Sequence, residues 1–115
     1  MVNYAWYNEG MPDIQTVKDK EIQHILDMIV SEIRKYVPKE YSILLFGSWA
    51  QADASPNSDI DIAIHGPQRI DSIVMARIRQ NIEELPTLRK IDVVDVHISD
   101  EQFRKNILRE TIVLN

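Results

Sequence analysis

The stretch that decides the fold runs from residue 45 to residue 62 and reads LFGSWAQADASPNSDIDI. It begins within a short apolar run, residues 43–46, which is typical of a strand covered on both faces and which Gly47 ends. It closes within residues 59–64, where acids alternate with Ile or Ala and predict a second strand. Residues 48–54 predict a short helix or a turn that opens directly from the first strand.

The second predicted strand carries two aspartates, Asp59 and Asp61, on one face. Their backbone positions are roughly 6.5 Å apart, and two carboxylates so placed repel each other unless a cation lies between them. A purely structural strand gains nothing from these acids, because Asp is depleted in strands and the neighbouring Ile60 and Ile62 indicate a buried opposite face. Oxygen-only ligation favours Mg²⁺ or Mn²⁺ over zinc, so the acid pair predicts a divalent metal site.

The dipeptide Gly47-Ser48 follows the first strand and predicts a phosphate site. Glycine lets the backbone approach a phosphate closely, and a serine at the start of a helix or turn offers a hydroxyl and free backbone N–H groups. Alone, this dipeptide is an ordinary turn. With an acid pair beginning after ten further residues, it indicates a phosphate cradle that faces a metal site.

The rest of the chain supplies the elements that surround these two strands. Apolar residues at helical spacing predict two helices, Val and Ile predict a third strand, and Ser99 or Asp100 is a candidate cap for a last helix. The predicted fold is α/β (α+β), with a small mixed sheet of about four strands flanked by helices. The predicted segments are an N-terminal arm (1–15) and a domain (16–115) that holds a helix from 16 to about 36, a helix from 70 to 85, a strand at 90–96 and an edge strand at 111–114.

Length and composition restrict the classes of protein that fit. A chain of 115 residues with no cysteine provides one modest core, has neither a disulfide scaffold nor a thiolate zinc site, and is expected in a reducing cytoplasm. No apolar run approaches the roughly 20 residues of a membrane span. The formal net charge of -5 opposes non-specific attraction to nucleic acid or anionic membranes, so neither is expected as a direct partner.

The spacing of Gly47-Ser48, ten residues and Asp59-x-Asp61 resembles the signature of the nucleotidyltransferase superfamily related to DNA polymerase β. The length and the strand order resemble its minimal members, the MNT proteins that pair with HEPN-domain proteins as antitoxins. The resemblance covers the chain from about Glu21 onward and implies the polymerase β-like nucleotidyltransferase fold. It also implies a third carboxylate on a later strand, where Asp92 fits the family pattern.

Asp95 remains an alternative to Asp92 as the third acid. Strand alternation puts these two residues on opposite faces of the third strand, and the sequence does not say which face meets Asp59 and Asp61. A second open alternative concerns Trp49, which either packs over its own loop or stacks on a nucleotide base.

The resemblance implies transfer of AMP from ATP to a hydroxyl, with Mg²⁺ (or Mn²⁺) as cofactor. The acceptor it implies is a tyrosine of a HEPN ribonuclease toxin, which this chain inactivates as its antitoxin. Asp59, Asp61 and Asp92 are then the metal ligands and the catalytic residues, and Gly47 and Ser48 bind the nucleotide. The alternative function is a non-catalytic binding module that neutralises a HEPN-type partner by forming a complex with it.

Overall fold

The computed structural model describes residues 17, 19–51 and 54–115. The predicted N-terminal arm, residues 1–15, lies outside the described residues. The helices are α1 (Lys20–Arg34), α2 (Ser72–Glu83) and α3 (Glu101–Arg109), and the strands are β1 (Ser42–Phe46), β2 (Ile60–His65), β3 (Ile91–Asp95) and β4 (Ile112–Val113). A single turn of 3₁₀ helix, Val96–Ile98, joins β3 to α3.

The four strands form one mixed sheet in the order β3-β2-β1-β4. β1 is antiparallel to β2 and to β4, whereas β2 and β3 are parallel. The prediction of a small mixed sheet flanked by helices is confirmed. The segment predicted as a short helix or a turn after β1 is a turn in its described part, because the amides of Ala50 and Gln51 both donate to the Gly47 carbonyl at 3.1 Å.

Helix α1 begins at Lys20, four residues later than the periodicity predicts. The reason is an N-cap: the side chain of Asp19 accepts from the backbone amides of Glu21 at 3.0 Å and Ile22 at 3.2 Å, which satisfies donors that have no partner within the helix. The apolar stripe of the helix is fully inside the protein. Its buried members are Ile22, Ile25, Leu26, Ile29 and Ile33.

The two faces of the sheet bury different cores. One face packs against α1 and α2 through side chains that alternate along the strands, namely Ile43, Leu45, Ile60, Ile62, Ile64 and Val93. The other face has a smaller core of Leu44, Ala63 and Val113, which packs against Val96 and against Ile107 of α3. Because α3 is short, this second face leaves room near the beginning of β2 and β3. None of the helices in the described ranges is long and apolar enough to cross a membrane.

Aspartates determine where the last helix begins and where the third strand ends. Of the two candidate caps for α3, the structure selects Asp100, whose side chain accepts from the Phe103 amide at 2.8 Å. Strand β3 ends at Asp95, one residue earlier than predicted, because the Asp95 side chain accepts from the His97 amide at 3.0 Å and starts the 3₁₀ turn.

Candidate active site

Parallel pairing of β2 and β3 brings acids from the two strands together. The register places Asp61 opposite Asp92, so both side chains leave the same face of the sheet. Asp59 lies two residues before Asp61, immediately ahead of β2. This is the face that α3 covers only in part, and the acids lie beyond that cover.

Asp95 lies on the opposite face of β3 and serves the fold. Its side chain is 2% exposed and accepts hydrogen bonds from the backbone amides of Ile70 at 2.8 Å and His97 at 3.0 Å. Those two bonds tie the segment before α2 and the turn after β3 to the strand. The structure therefore brings Asp92, and not Asp95, beside Asp61.

Gly47 places the turn after β1 directly against the carboxylate of Asp61. Its φ of +75° lies in the left-handed region, which favours glycine. A Cβ atom at this position would meet the Asp61 carboxylate, with the carboxyl carbon only 3.2 Å away. A side chain at residue 47 is thus excluded by both the backbone and the acid. Ser48 follows in the same turn, next to the acidic face.

The negative charges of the acids repel one another. Burial raises the pKa of Asp61, the nearby charges of Asp92 and Asp59 raise it further, and Lys90 acts in the opposite direction. The Lys90 ammonium lies 4.0 Å from a carboxylate oxygen of Asp59, but both side chains are well exposed, so this pair contributes little. A positive charge at the acids would relieve the remaining repulsion.

The donor set fits a divalent ion that prefers oxygen. The acids beside Gly47 supply only carboxylate oxygens, which suits Mg²⁺ or Mn²⁺. Within the described part of the chain, no three His, Cys, Asp or Glu side chains are already gathered around a metal position. Asp61 and Asp92 face each other, whereas Asp59 is near Lys90, so joint ligation by all three requires the Asp59 side chain to turn toward the other two.

Two clefts meet at the acids. The first, of about 620 Å³, has Asp61 and Asp92 in its lining, with Phe46 and Phe103 on the α3 side and Arg79 and Glu83 contributed by α2. The second, of about 640 Å³, lies between α1 and the loops before β2 and β3, and includes Asp59 and Arg89. The row of acids therefore separates two spaces, each large enough for part of a substrate.

Arg89 is a residue near the site that sequence reasoning missed. Its guanidinium lies over the ring of Trp49, 5.6 Å from the centroid, pairs with Glu21 at 3.1 Å, and donates to the carbonyl of Pro56. Trp49 itself donates to the Ser58 carbonyl at 3.2 Å, so its side chain packs over the loop that leads to Asp59. An isolated arginine in a loop gives no sequence signal for such contacts.

The two histidines near the ends of the strands lie away from the acids. His65 ends β2, whereas the acids are at its beginning, and its ring centroid is 6.1 Å from that of His97. Burial lowers the pKa of His65, and the nearby His97 and Arg104 lower it further. The structure gives neither histidine a place among the acids.

Known sequences that resemble this chain include two proteins named as adenylyltransferases. Residues 29–115 match the family Polymerase beta, Nucleotidyltransferase. A Haemophilus influenzae protein named Probable protein adenylyltransferase MntA is 27% identical over 86 residues, which are 75% of each chain. The Shewanella oneidensis Protein adenylyltransferase MntA is 34% identical over 68 residues, or 59% of this chain and 48% of that protein.

Solved structures with the same fold include toxin-antitoxin complexes. A crystal structure of a toxin-antitoxin with AMP-PNP superposes with a TM-score of 0.66 and 27% identity, over 78% of this chain and 72% of the other. A tri-AMPylated Shewanella oneidensis HEPN toxin in complex with MNT antitoxin has a TM-score of 0.63 and 24% identity, over 81% and 71% of the chains, and supports the fold. With acids from two parallel strands beside a glycine turn, this chain belongs to the polymerase beta nucleotidyltransferase family of enzymes.

Proposed function

We propose that this chain is a Mg²⁺-dependent protein adenylyltransferase that moves AMP from ATP to a tyrosine hydroxyl of a HEPN-type toxin and so acts as its antitoxin. The observation that carries the proposal is the pairing of Asp61 with Asp92 on one sheet face, with the glycine turn directly against Asp61. The two relatives named as adenylyltransferases support AMP as the transferred group.

Gly47 and Ser48 would hold the phosphates of the nucleotide. Residue 47 has no side chain to keep the phosphates away. The amides of Ala50 and Gln51 donate to the Gly47 carbonyl, so the earlier amides of the turn and the Ser48 hydroxyl would bind the phosphates. Asp59, Asp61 and Asp92 would hold Mg²⁺, which would supply positive charge to offset the triphosphate. Without that charge, an acidic face would repel the substrate, because the surrounding acids already raise the pKa of Asp61.

The reaction forms one bond and breaks one. The acceptor oxygen attacks the α-phosphorus, the bond between the α-phosphorus and the bridging oxygen breaks, and pyrophosphate leaves. Asp92 lies on β3, at the edge of the sheet where an acceptor can approach, so we assign to it the proton of the acceptor hydroxyl.

A partner protein would supply the acceptor. The described residues form one sheet and three helices, and the cleft that contains Asp92 lies at an edge strand that a second protein can reach. The AMP-PNP complex of a similar chain is a toxin-antitoxin structure, and the length and strand order of this chain resemble those of the minimal members that pair with HEPN-domain proteins. We propose that this chain and its partner act in the cytoplasm, a reducing compartment in which a protein without cysteine gives up no disulfide.

The double variant Asp59→Asn/Asp61→Asn tests the proposal. The purified protein is incubated with labelled ATP, Mg²⁺ and the HEPN-type partner encoded beside it. Label transfer and complex formation are measured together. We expect transfer to fall by at least about 10³-fold, because charge neutralisation is the main contribution of such a site, while the complex persists. Asp27→Asn, which changes an exposed acid on α1, is the matched control.

The same experiment decides between the proposal and a binding module. Full neutralisation of the toxin by the double variant, without any label on the partner, would show that covering the partner is sufficient. Loss of both label and neutralisation, with the complex intact, supports the enzyme.

A further inference from the structure

Phe103 is a large apolar side chain that remains partly open to solvent beside the acids. It projects from α3 and is 39% exposed, whereas Ile107 on the same helix is 1% exposed and fills the core beneath. Its ring meets that of Phe46 edge-to-face, with centroids 6.0 Å apart and an interplanar angle of 81°. Packing in the core therefore does not explain why residue 103 is a phenylalanine. The exposed part of the Phe103 ring is available to a ligand.

The aromatic pair lies in the same row as the acids. The strand register places Phe46 opposite Asp61, and Asp61 opposite Asp92, so the three side chains occupy neighbouring positions on one face. Phe103 packs on the first of them. Both rings and both carboxylates line the 620 Å³ cleft.

Asp61 separates this cleft from the phosphate turn. On one side its carboxylate touches the position of a Cβ at residue 47, and on the other side it lines the cleft. Among the described residues, those that line the cleft do not include Gly47 or Ser48. In an in-line displacement, the attacking oxygen and the leaving pyrophosphate lie on opposite sides of the phosphorus. With pyrophosphate at the turn, the acceptor oxygen comes from the cleft.

We infer that Phe103 is a specificity-determining residue, which packs against the ring of an aromatic acceptor and so selects tyrosine over serine or threonine. This inference rests on the proposed function. An aromatic ring gains contact area and favourable edge-to-face geometry against Phe103, while its hydroxyl extends toward Asp61 and Asp92. Serine and threonine hydroxyls bring no ring, so they lose this contact.

Polar side chains of α2 at the edge of the cleft suit the backbone of the segment that carries the acceptor. Arg79 is held there by a hydrogen bond of 3.0 Å from its Nε to the Val93 carbonyl, and Glu83 lies one helical turn further along α2. Two aromatic side chains and two charged side chains of α2 thus line the same cleft as the acids. This arrangement fits a tyrosine presented on a polypeptide better than a small free alcohol.

The variant Phe103→Ala tests the assignment, with Phe103→Tyr as the conservative rescue. The acceptors are the HEPN-type partner and a form in which its labelled tyrosine is replaced by serine, and the readout is kcat/KM for each. We expect Phe103→Ala to lower kcat/KM for the tyrosine acceptor roughly tenfold, mainly through KM, while the serine acceptor changes little. Phe103→Tyr should restore most of the loss, because it keeps the ring.

Two controls separate recognition of the acceptor from effects on folding and on the nucleotide. Ile98→Ala removes another exposed apolar side chain, outside the cleft, and should leave both acceptors unaffected. The affinity of Phe103→Ala for AMP-PNP should equal that of the wild type. If folded Phe103→Ala had the same ratio of kcat/KM for the tyrosine acceptor to kcat/KM for the serine acceptor as the wild type, the inference would be overturned and the proposed function would stand. A wild-type protein that transfers no label to any acceptor would overturn both.

Discussion

Asp61 is the residue at which function and stability oppose each other. It lies against the glycine turn, pairs in register with Asp92 and follows Asp59 by two residues, so the turn and two other acids surround one carboxylate. Burial and its acidic neighbours raise its pKa, which means that its ionised form is less favourable in the folded protein than in the unfolded chain. Under the proposed function, a divalent ion bound at Asp61 would offset this penalty.

Asp61→Asn should therefore raise the melting temperature in the absence of divalent ions. The amide keeps the size of the carboxylate but removes the charge that burial, Asp92 and Asp59 penalise, so we expect an increase of a few degrees at neutral pH. Differential scanning calorimetry in a chelating buffer measures it. Asp27→Asn, at an exposed position on α1, is the matched control and should shift little.

The increase in melting temperature caused by Asp61→Asn should be larger at neutral pH than at acidic pH. Because the folded pKa of Asp61 is raised above the ordinary 3.8, its contribution to stability is complete below that pH and is lost as the pH rises through the folded pKa. The difference in melting temperature between Asp61→Asn and the wild type should thus become smaller as the pH falls toward 3.8. A variant that melts below the wild type at neutral pH would contradict the electrostatic account.

Strand β3 shows how one element serves two purposes on its two faces. Asp92 faces the parallel neighbour Asp61, and Asp95, three residues later, faces the helices and accepts two backbone hydrogen bonds. Odd spacing along a strand puts the two carboxylates on opposite sides. One acid is therefore available to a substrate, and the other is part of the buried framework.

Replacing each acid of β3 by its amide should separate the two roles. Asp95→Asn places an NH₂ group where two backbone donors converge, so one of them loses its acceptor, and we expect a loss of about 1–3 kcal/mol in the free energy of unfolding. Asp92→Asn should be at least as stable as the wild type, because it removes a charge that repels Asp61, but should lose AMP transfer. Urea unfolding and the label assay on both variants check this, and an inactive but equally stable Asp95→Asn would reverse the assignment.

At the scale of the whole molecule, Arg89 joins three segments that are distant along the chain. It pairs with Glu21 at the start of α1, donates to the carbonyl of Pro56 and lies over Trp49 of the turn after β1. These contacts connect α1, the loop before β2 and the Gly47 turn. Arg89 is thus placed to hold the Gly47 turn and Asp59 in a constant relation to each other.

Arg89→Ala should loosen that connection without unfolding the protein. We expect a loss of about 1 kcal/mol in stability, because a partly exposed ion pair and a cation–π contact each contribute modestly. Hydrogen–deuterium exchange at residues 54–59 should become faster, and the affinity for AMP-PNP should fall several-fold. Arg77→Ala, on an exposed face of α2, is the control, and exchange as slow as in the wild type would rule out this role for Arg89.

The local pattern of the sequence determined most of the elements and half of the site. Strand alternation, helical periodicity and Asp caps act over a few residues, so the helices, the four strands and the position of Asp61 on the face opposite Ile60 and Ile62 could be predicted without a structure. The Gly47 turn was also a local signal. Boundaries moved by up to four residues, because side-chain caps such as that of Asp19 determine where a helix begins.

Tertiary structure alone decided which long-range partners the acids have. The choice of Asp92 over Asp95 depends on the register of β3 against β2, and that register comes from the packing of the entire sheet. Phe103 reaches Phe46 across 57 residues of chain, and Arg89 reaches Glu21 across 68, so no local spacing announces either contact. Contacts of this kind arise only when the core closes, because burial in a shared core selects the arrangement of elements, and the elements carry their side chains with them.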